Sequence, residues 1–135
     1  MLLIDHSAWS RRRNSPARER IASGLSERDF AVCLPFLLEA GYSAISARDI
    51  DGLVADLAEL PRVEITPDIE ERALQAQREL AAVGHHRLPP ADVTIAACAH
   101  EAGAGVLHYD RNYDVLVEHT SLDFESQWVA PPGTL

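Results

Sequence analysis

At 135 residues, 47% of them hydrophobic and 24% charged, the chain has the length and balance of one globular domain with a real core. Its formal net charge of −9 argues against broad nucleic-acid binding, which needs a basic field, so any polyanion has to be met by local arginines. No apolar run nears the roughly 20 residues that span a bilayer, and the start lacks the basic flank and apolar segment of a signal peptide; a cytoplasmic location without a membrane partner is expected.

In chain order, Met1–Ile4 reads as a buried strand ending at Asp5, and His6-Ser7-Ala8-Trp9 begins a loop or helix. Arg11-Arg12-Arg13-Asn14-Ser15-Pro16 is a charged connection to a short helix, Ala17 to Gly24, and Phe30–Leu34 reads as a second strand. Pro35 opens a helix to about Ser43 that carries Glu39 in its middle. From Ala47 to Leu60 the apolar residues Ile50, Leu53, Val54, Leu57 and Leu60 recur at helical spacing, as an amphipathic helix requires. Arg62–Thr66 alternates like a strand, and Thr66 can cap a helix from Pro67 to about Val83, with Glu70 and Glu71 near its positive end. Pro89 and Pro90 suit the start of another helix and Gly103 and Gly105 its exit, followed by a buried strand, Val106–Tyr109. A short helix after Asp110 and a last strand at Gln127–Val129 complete the pattern. Strands alternating with helices predict an α/β domain of three layers, α/β/α, around a mainly parallel sheet, one domain over residues 1–135.

Four acids fall where such a sheet gathers chemistry: Asp5 and Asp110 after strands, Asp92 in a first helical turn, Glu39 amid the apolar run Phe36-Leu37-Leu38-Glu39-Ala40. One acid after a strand is usually a cap. Several in one pocket repel unless a proton or a cation neutralises them, and hard oxygen ligands favour Mg²⁺ or Mn²⁺. All twelve basic residues are arginine, so lysine-dependent mechanisms are out. Cys33 and Cys98 have no metal-knuckle spacing and read as buried free thiols. His85 and His86 have no spaced zinc partners, and His108 is expected to pack in or beside its strand.

Leu3-Ile4-Asp5-His6-Ser7-Ala8-Trp9, Leu38-Glu39-Ala40-Gly41, Pro90–Ala97 and Val106–Asp114 together resemble the PIN domain, and most of all the VapC toxins of bacterial toxin–antitoxin pairs. The resemblance implies a Mg²⁺-dependent endoribonuclease, usually dimeric and held inactive by a VapB-type antitoxin. It matches Asp5, Glu39, Asp92 and Asp110 to the family's acidic metal ligands and Ser7 to its polar site residue. Position 6, commonly Thr, is His6 here, and the second Asp often found after the last acidic strand is Asn112. On rigidity, Asp110 is expected to be the ligand and Asp114 to take a supporting or capping role. Arg11, Arg12, Arg13, Arg87 and Arg111 are candidates for flanking RNA phosphates, although an arginine run is more often a solvated face. The alternative is a catalytically silent PIN-like module kept for protein interaction. A phospho-acceptor receiver would need a paired acid near the first strand and a Lys, and a haloacid-dehalogenase-type phosphatase an Asp-x-Asp where Asp5-His6-Ser7 stands.

Overall fold

The computed structural model describes residues 1–135. The elements run β1 (Leu2–Ile4), α1 (His6–Trp9), α2 (Ala17–Ser26), β2 (Phe30–Cys33), α3 (Leu34–Tyr42), α4 (Ala47–Leu57), β3 (Arg62–Val63), α5 (Pro67–Ala82), α6 (Pro90–Ala102), β4 (Gly105–His108), α7 (Asn112–His119) and β5 (Ser126–Trp128). The five strands form one sheet in the order β3-β2-β1-β4-β5, and every neighbouring pair is parallel. Every residue of β1, β2 and β4 is buried, which a parallel sheet achieves only with helices on both faces, the three-layer α/β/α arrangement. No helix is long and apolar enough to cross a membrane.

The strand order places the functional edge. From β1 the chain crosses to β2 on one side, and β4 later joins β1 on the other, so the carboxyl ends of β1 and β4 flank the point where the winding reverses. Loops there diverge and leave a crevice. Ile4 pairs with Leu107, and Asp5 continues the ladder by donating its N–H to the Leu107 carbonyl at 2.9 Å. The strand end therefore fixes the Asp5 backbone beside that of β4.

Local chemistry explains the main boundaries. Thr66 caps α5 through the Ile69 N–H at 3.3 Å, and Gly103 closes α6 in the left-handed region at φ 64°. Gly105 does not end the helix as its spacing indicated: it opens β4, where a Cβ would stand 2.7 Å from Leu2 Cδ2 and 2.8 Å from the Glu125 carbonyl. β3 is two residues rather than five, an edge strand that loses its partner after Val63. α4 stops at Leu57, so Leu60 lies beyond it. Its apolar stripe is only part core: Leu57 is buried, whereas Ile50 and Val54 are 43% and 60% exposed.

Gly24 is a glycine in the body of α2 because the helix lies against the ring of buried Phe30, which a Cβ would overlap. Gly24→Ala is expected to cost about 1–3 kcal/mol despite alanine's better helix propensity. Urea unfolding checks it: the midpoint falls with an unchanged slope. A more stable variant would mean that the helix shifts freely off Phe30.

Candidate functional site

A cavity of about 780 Å³ opens at the carboxyl edge of the sheet, and Asp5, Glu39, Asp92 and Asp110 all line it. Four different elements deliver them: Asp5 follows β1 and caps α1, Glu39 lies in α3, Asp92 in the first turn of α6, and Asp110 two residues past β4. Asp5 and Asp92 are buried, whereas Glu39 is exposed. An exposed Glu on α3 is unexpected from its apolar neighbours. Those neighbours resolve it, since Leu38 is itself 64% exposed and the helix turns this face to the crevice.

The carboxylates are held by neutral donors. Asp5 Oδ2 accepts from the Ser7 N–H at 3.0 Å and from the Ser7 hydroxyl, while Asp5 Oδ1 accepts from the Tyr113 hydroxyl at 2.7 Å. The same hydroxyl lies 3.4 Å from Asp92 Oδ1. Asn112 Nδ2 donates to Asp92 Oδ2 at 3.0 Å and lies 3.4 Å from Asp110 Oδ2, and the Asn112 N–H donates to Asp110 Oδ1 at 3.0 Å. An amide can give a proton to each of two acids where a second carboxylate would add charge. The Ser7 hydroxyl also accepts the Tyr109 N–H at 2.9 Å and so ties the turn after β1 to the end of β4.

No Arg, Lys or His forms an ion pair with any of the four acids. Burial, then the charges of Asp5, Asp110 and Glu39, push the Asp92 carboxyl up to about 7 against the bond from Asn112. Burial and the charges of Asp5 and Asp110 raise Glu39 as well. No three acidic, His or Cys side chains are drawn into a finished cation cage, and Tyr113, Ser7 and Asn112 donate to the carboxylate oxygens. The donor set nonetheless fits a hard divalent cation: four carboxylates, no sulfur, and repulsion that a cation relieves.

Two buried side chains behind the acids escaped the sequence reading of the site. Tyr113, wholly buried, stacks on His108 with ring centroids 4.8 Å apart. His108 Nδ1 accepts the Asp110 N–H at 3.1 Å, so its proton sits on Nε2, which meets Ser126 Oγ at 2.7 Å. Burial lowers the His108 pKa and favours this neutral ring. Ser126 in turn donates to Asp114 Oδ1 at 2.7 Å, and Trp128 Nε1 to Asp114 Oδ2 at 2.9 Å. Asp114 therefore fastens α7 to β5 and lies outside the acid cavity. No spacing in the sequence pointed to Tyr113, because Asp110 precedes α7 and only the tertiary fold brings the hydroxyl to the acids.

The remaining candidates divide. Arg11 lines the acid cavity, its guanidinium 4.3 Å over the Tyr109 ring and 2.7 Å from the Ser7 carbonyl. Arg12 and Arg13 line a second cavity, and Arg87 and Arg111 are exposed and line neither. His6 borders both, its Nε2 3.1 Å from Ser43 Oγ and its Nδ1 buried without a partner.

With this geometry in view, comparison with known proteins is specific. The PIN domain profile matches residues 2–118. The chain is 40% identical to Ribonuclease VapC18 of Mycobacterium tuberculosis over 98% of this chain and 97% of that one, and 36% identical to Ribonuclease VapC2 of the same species over 97% and 95%. Among solved structures it is similar to DNA-bound VapBC from Salmonella typhimurium, with TM-score 0.74, 19% identity and 96% and 100% of the two chains covered. VapBC2 from Rickettsia felis, bound to a promoter DNA fragment, gives 0.73, 12%, and 94% and 97%. At such identities these structures speak for the fold alone.

Proposed function

This chain belongs to the PIN-domain family, among the VapC ribonucleases, and from that premise we propose that it is a divalent-cation-dependent endoribonuclease, the toxin of a type II toxin–antitoxin pair. The observation that carries the reading is one cavity lined by four carboxylates with no cationic side chain paired to any of them. Asp5, Asp92 and Asp110, with Glu39 from α3, would hold Mg²⁺ or Mn²⁺. When bound, such an ion supplies a Lewis acid that lowers the pKa of water and offsets charge on the scissile phosphate.

The chain's own groups do the rest. Ser7 and Tyr113 fix Asp5, Asn112 spans Asp92 and Asp110, and His108 holds the Asp110 backbone from behind. Arg11 stands at the cavity wall, where its guanidinium can meet a flanking phosphate. Attack by water leaves a 5′-phosphate and a 3′-hydroxyl, with no part for the ribose 2′-hydroxyl. The substrate is structured RNA of the tRNA or rRNA kind, read at an unpaired loop.

An open acid cavity in a cytoplasmic nuclease has to be covered. The proposed partner is a VapB-type antitoxin, with an Arg or Lys side chain among the acids. Its apolar helix would lie in the 290 Å³ groove beside Val32, Leu37, Ile50, Val54 and Leu57. A homodimer is the proposed assembly of the toxin itself. Cleavage of RNA by purified protein in Mg²⁺, its loss in EDTA and its return on adding Mg²⁺ test the reading. Metal-free cleavage at an unchanged rate overturns it, and no cleavage under any condition favours the silent interaction module.

A further inference from the structure

The second cavity has no part in the acid site, yet it adjoins it. It measures about 520 Å³ and is lined by the guanidinium side chains Arg12 and Arg13 from the turn after α1, and Arg48 from the first turn of α4. His6 and Ser10 border both cavities, so the two are continuous along the surface. Asp49 and Asp56 also line it, but none of the three arginines is ion-paired with any carboxylate. Asp49 is engaged locally, its Oδ2 accepting the Ile45 N–H at 3.2 Å. Arg12 is pre-positioned: its guanidinium lies 4.7 Å over the Trp9 ring and donates to the Trp9 carbonyl at 3.0 Å. Burial, and after it the neighbouring charge of Arg13, lower the pKa of Arg12, while the charge of Asp56 acts in the opposite direction.

We propose that this cavity is a subsite for RNA, in which Arg12, Arg13 and Arg48 bind a backbone phosphate of the strand that continues from the acid cavity. The proposal rests on the nuclease reading above and adds a position to it. An acidic chain whose cutting site carries four carboxylates repels a polyanion there, and a neighbouring set of unpaired guanidiniums is where the strand can be held. Guanidinium suits the task through bidentate contacts to phosphate oxygens. The subsite also shares His6 with the acid cavity, so a strand bound across both must pass that ring.

Arg13→Ala and Arg48→Ala are the test variants, since both residues are exposed and neither makes a side-chain hydrogen bond or ion pair. Arg78→Ala, on α5 and away from both cavities, removes the same charge as a control. Binding of a fluorescein-labelled 12-nucleotide single-stranded RNA of mixed sequence, and of a trinucleotide, is measured by anisotropy in EDTA over a salt series. The 12-mer should bind each test variant about three- to tenfold more weakly, with the slope of log affinity against log salt reduced by about 0.7 per lost contact. The control should be unaffected, and the trinucleotide, which without metal has only the guanidiniums to hold it, should weaken together with the 12-mer. Equal 12-mer affinity and slope in wild type and test variants overturn the subsite, and Mg²⁺-dependent cleavage by the same wild-type protein then leaves the nuclease reading standing. Weakened binding of a protein partner with RNA binding unchanged also overturns it, assigning the cavity to an acidic protein segment. Wild type that neither binds nor cuts RNA overturns both.

Discussion

Asp92→Asn is expected to lower RNA cleavage by at least about 100-fold while making the metal-free protein more stable at pH 8. The two effects have one origin. Burial and three facing acids push the Asp92 carboxyl from an ordinary 3.8 up to about 7. Below about pH 3 it is protonated whether the chain is folded or not, and the charge plays no part. Between about pH 4 and 7 the folded chain keeps a proton that the unfolded chain has released, so this group's contribution to stability is lost as pH rises through the window. The shift corresponds to roughly 4 kcal/mol by pH 8. Asparagine removes the charge and keeps an oxygen to accept from Asn112. The melting temperatures of variant and wild type should therefore converge towards pH 3 and diverge by roughly 10 °C at pH 8, with the variant higher. Mg²⁺ should raise the wild-type value and leave the variant's nearly unchanged. A variant less stable than wild type at pH 8 without metal would contradict the crowding of the acids.

The second large effect separates two aspartates four residues apart. Asp110→Asn should lose most cleavage, about 100-fold, because Asp110 lines the cavity with Asp5, Glu39 and Asp92. Asp114→Asn should keep much of it. Both Asp114 oxygens are engaged by Ser126 and Trp128, away from the acids, so its replacement loosens β5 instead. Weakening these two charge-assisted bonds is expected to cost about 1–3 kcal/mol in urea unfolding. Cleavage across a Mg²⁺ titration ranks the pair, and the reverse ranking would move the fourth ligand to α7.

The acids were legible because a strand end is a rigid address. Val106–Tyr109 is apolar-rich and bounded by turns, so Asp110 had to emerge at the sheet's carboxyl edge, and the Pro89-Pro90 helix start put Asp92 in a first turn. What joins the acids was not legible. Tyr113 reads as one more apolar position of a short helix, and only tertiary packing brings its hydroxyl to Asp5, 108 residues away. The partners of Asp114 depend on β5 pairing with β4, which short-range pattern does not specify. The α4 stripe was legible as a stripe and no further. Its period is right, but periodicity shows which residues share a face and not what covers that face, and Ile50 and Val54 stay open on a groove. The exposed Glu39 has the same cause in α3.

The central claim, that the acid cavity cuts RNA with metal-activated water, is tested most directly by the ends of the product. Wild-type protein is incubated with RNA in Mg²⁺ and in EDTA, and the termini are determined by ligation and mass. The account predicts cuts only with Mg²⁺, each leaving a 5′-phosphate and a 3′-hydroxyl, and none from Asp92→Asn. Fragments with 2′,3′-cyclic phosphate ends, formed equally in EDTA, would contradict it.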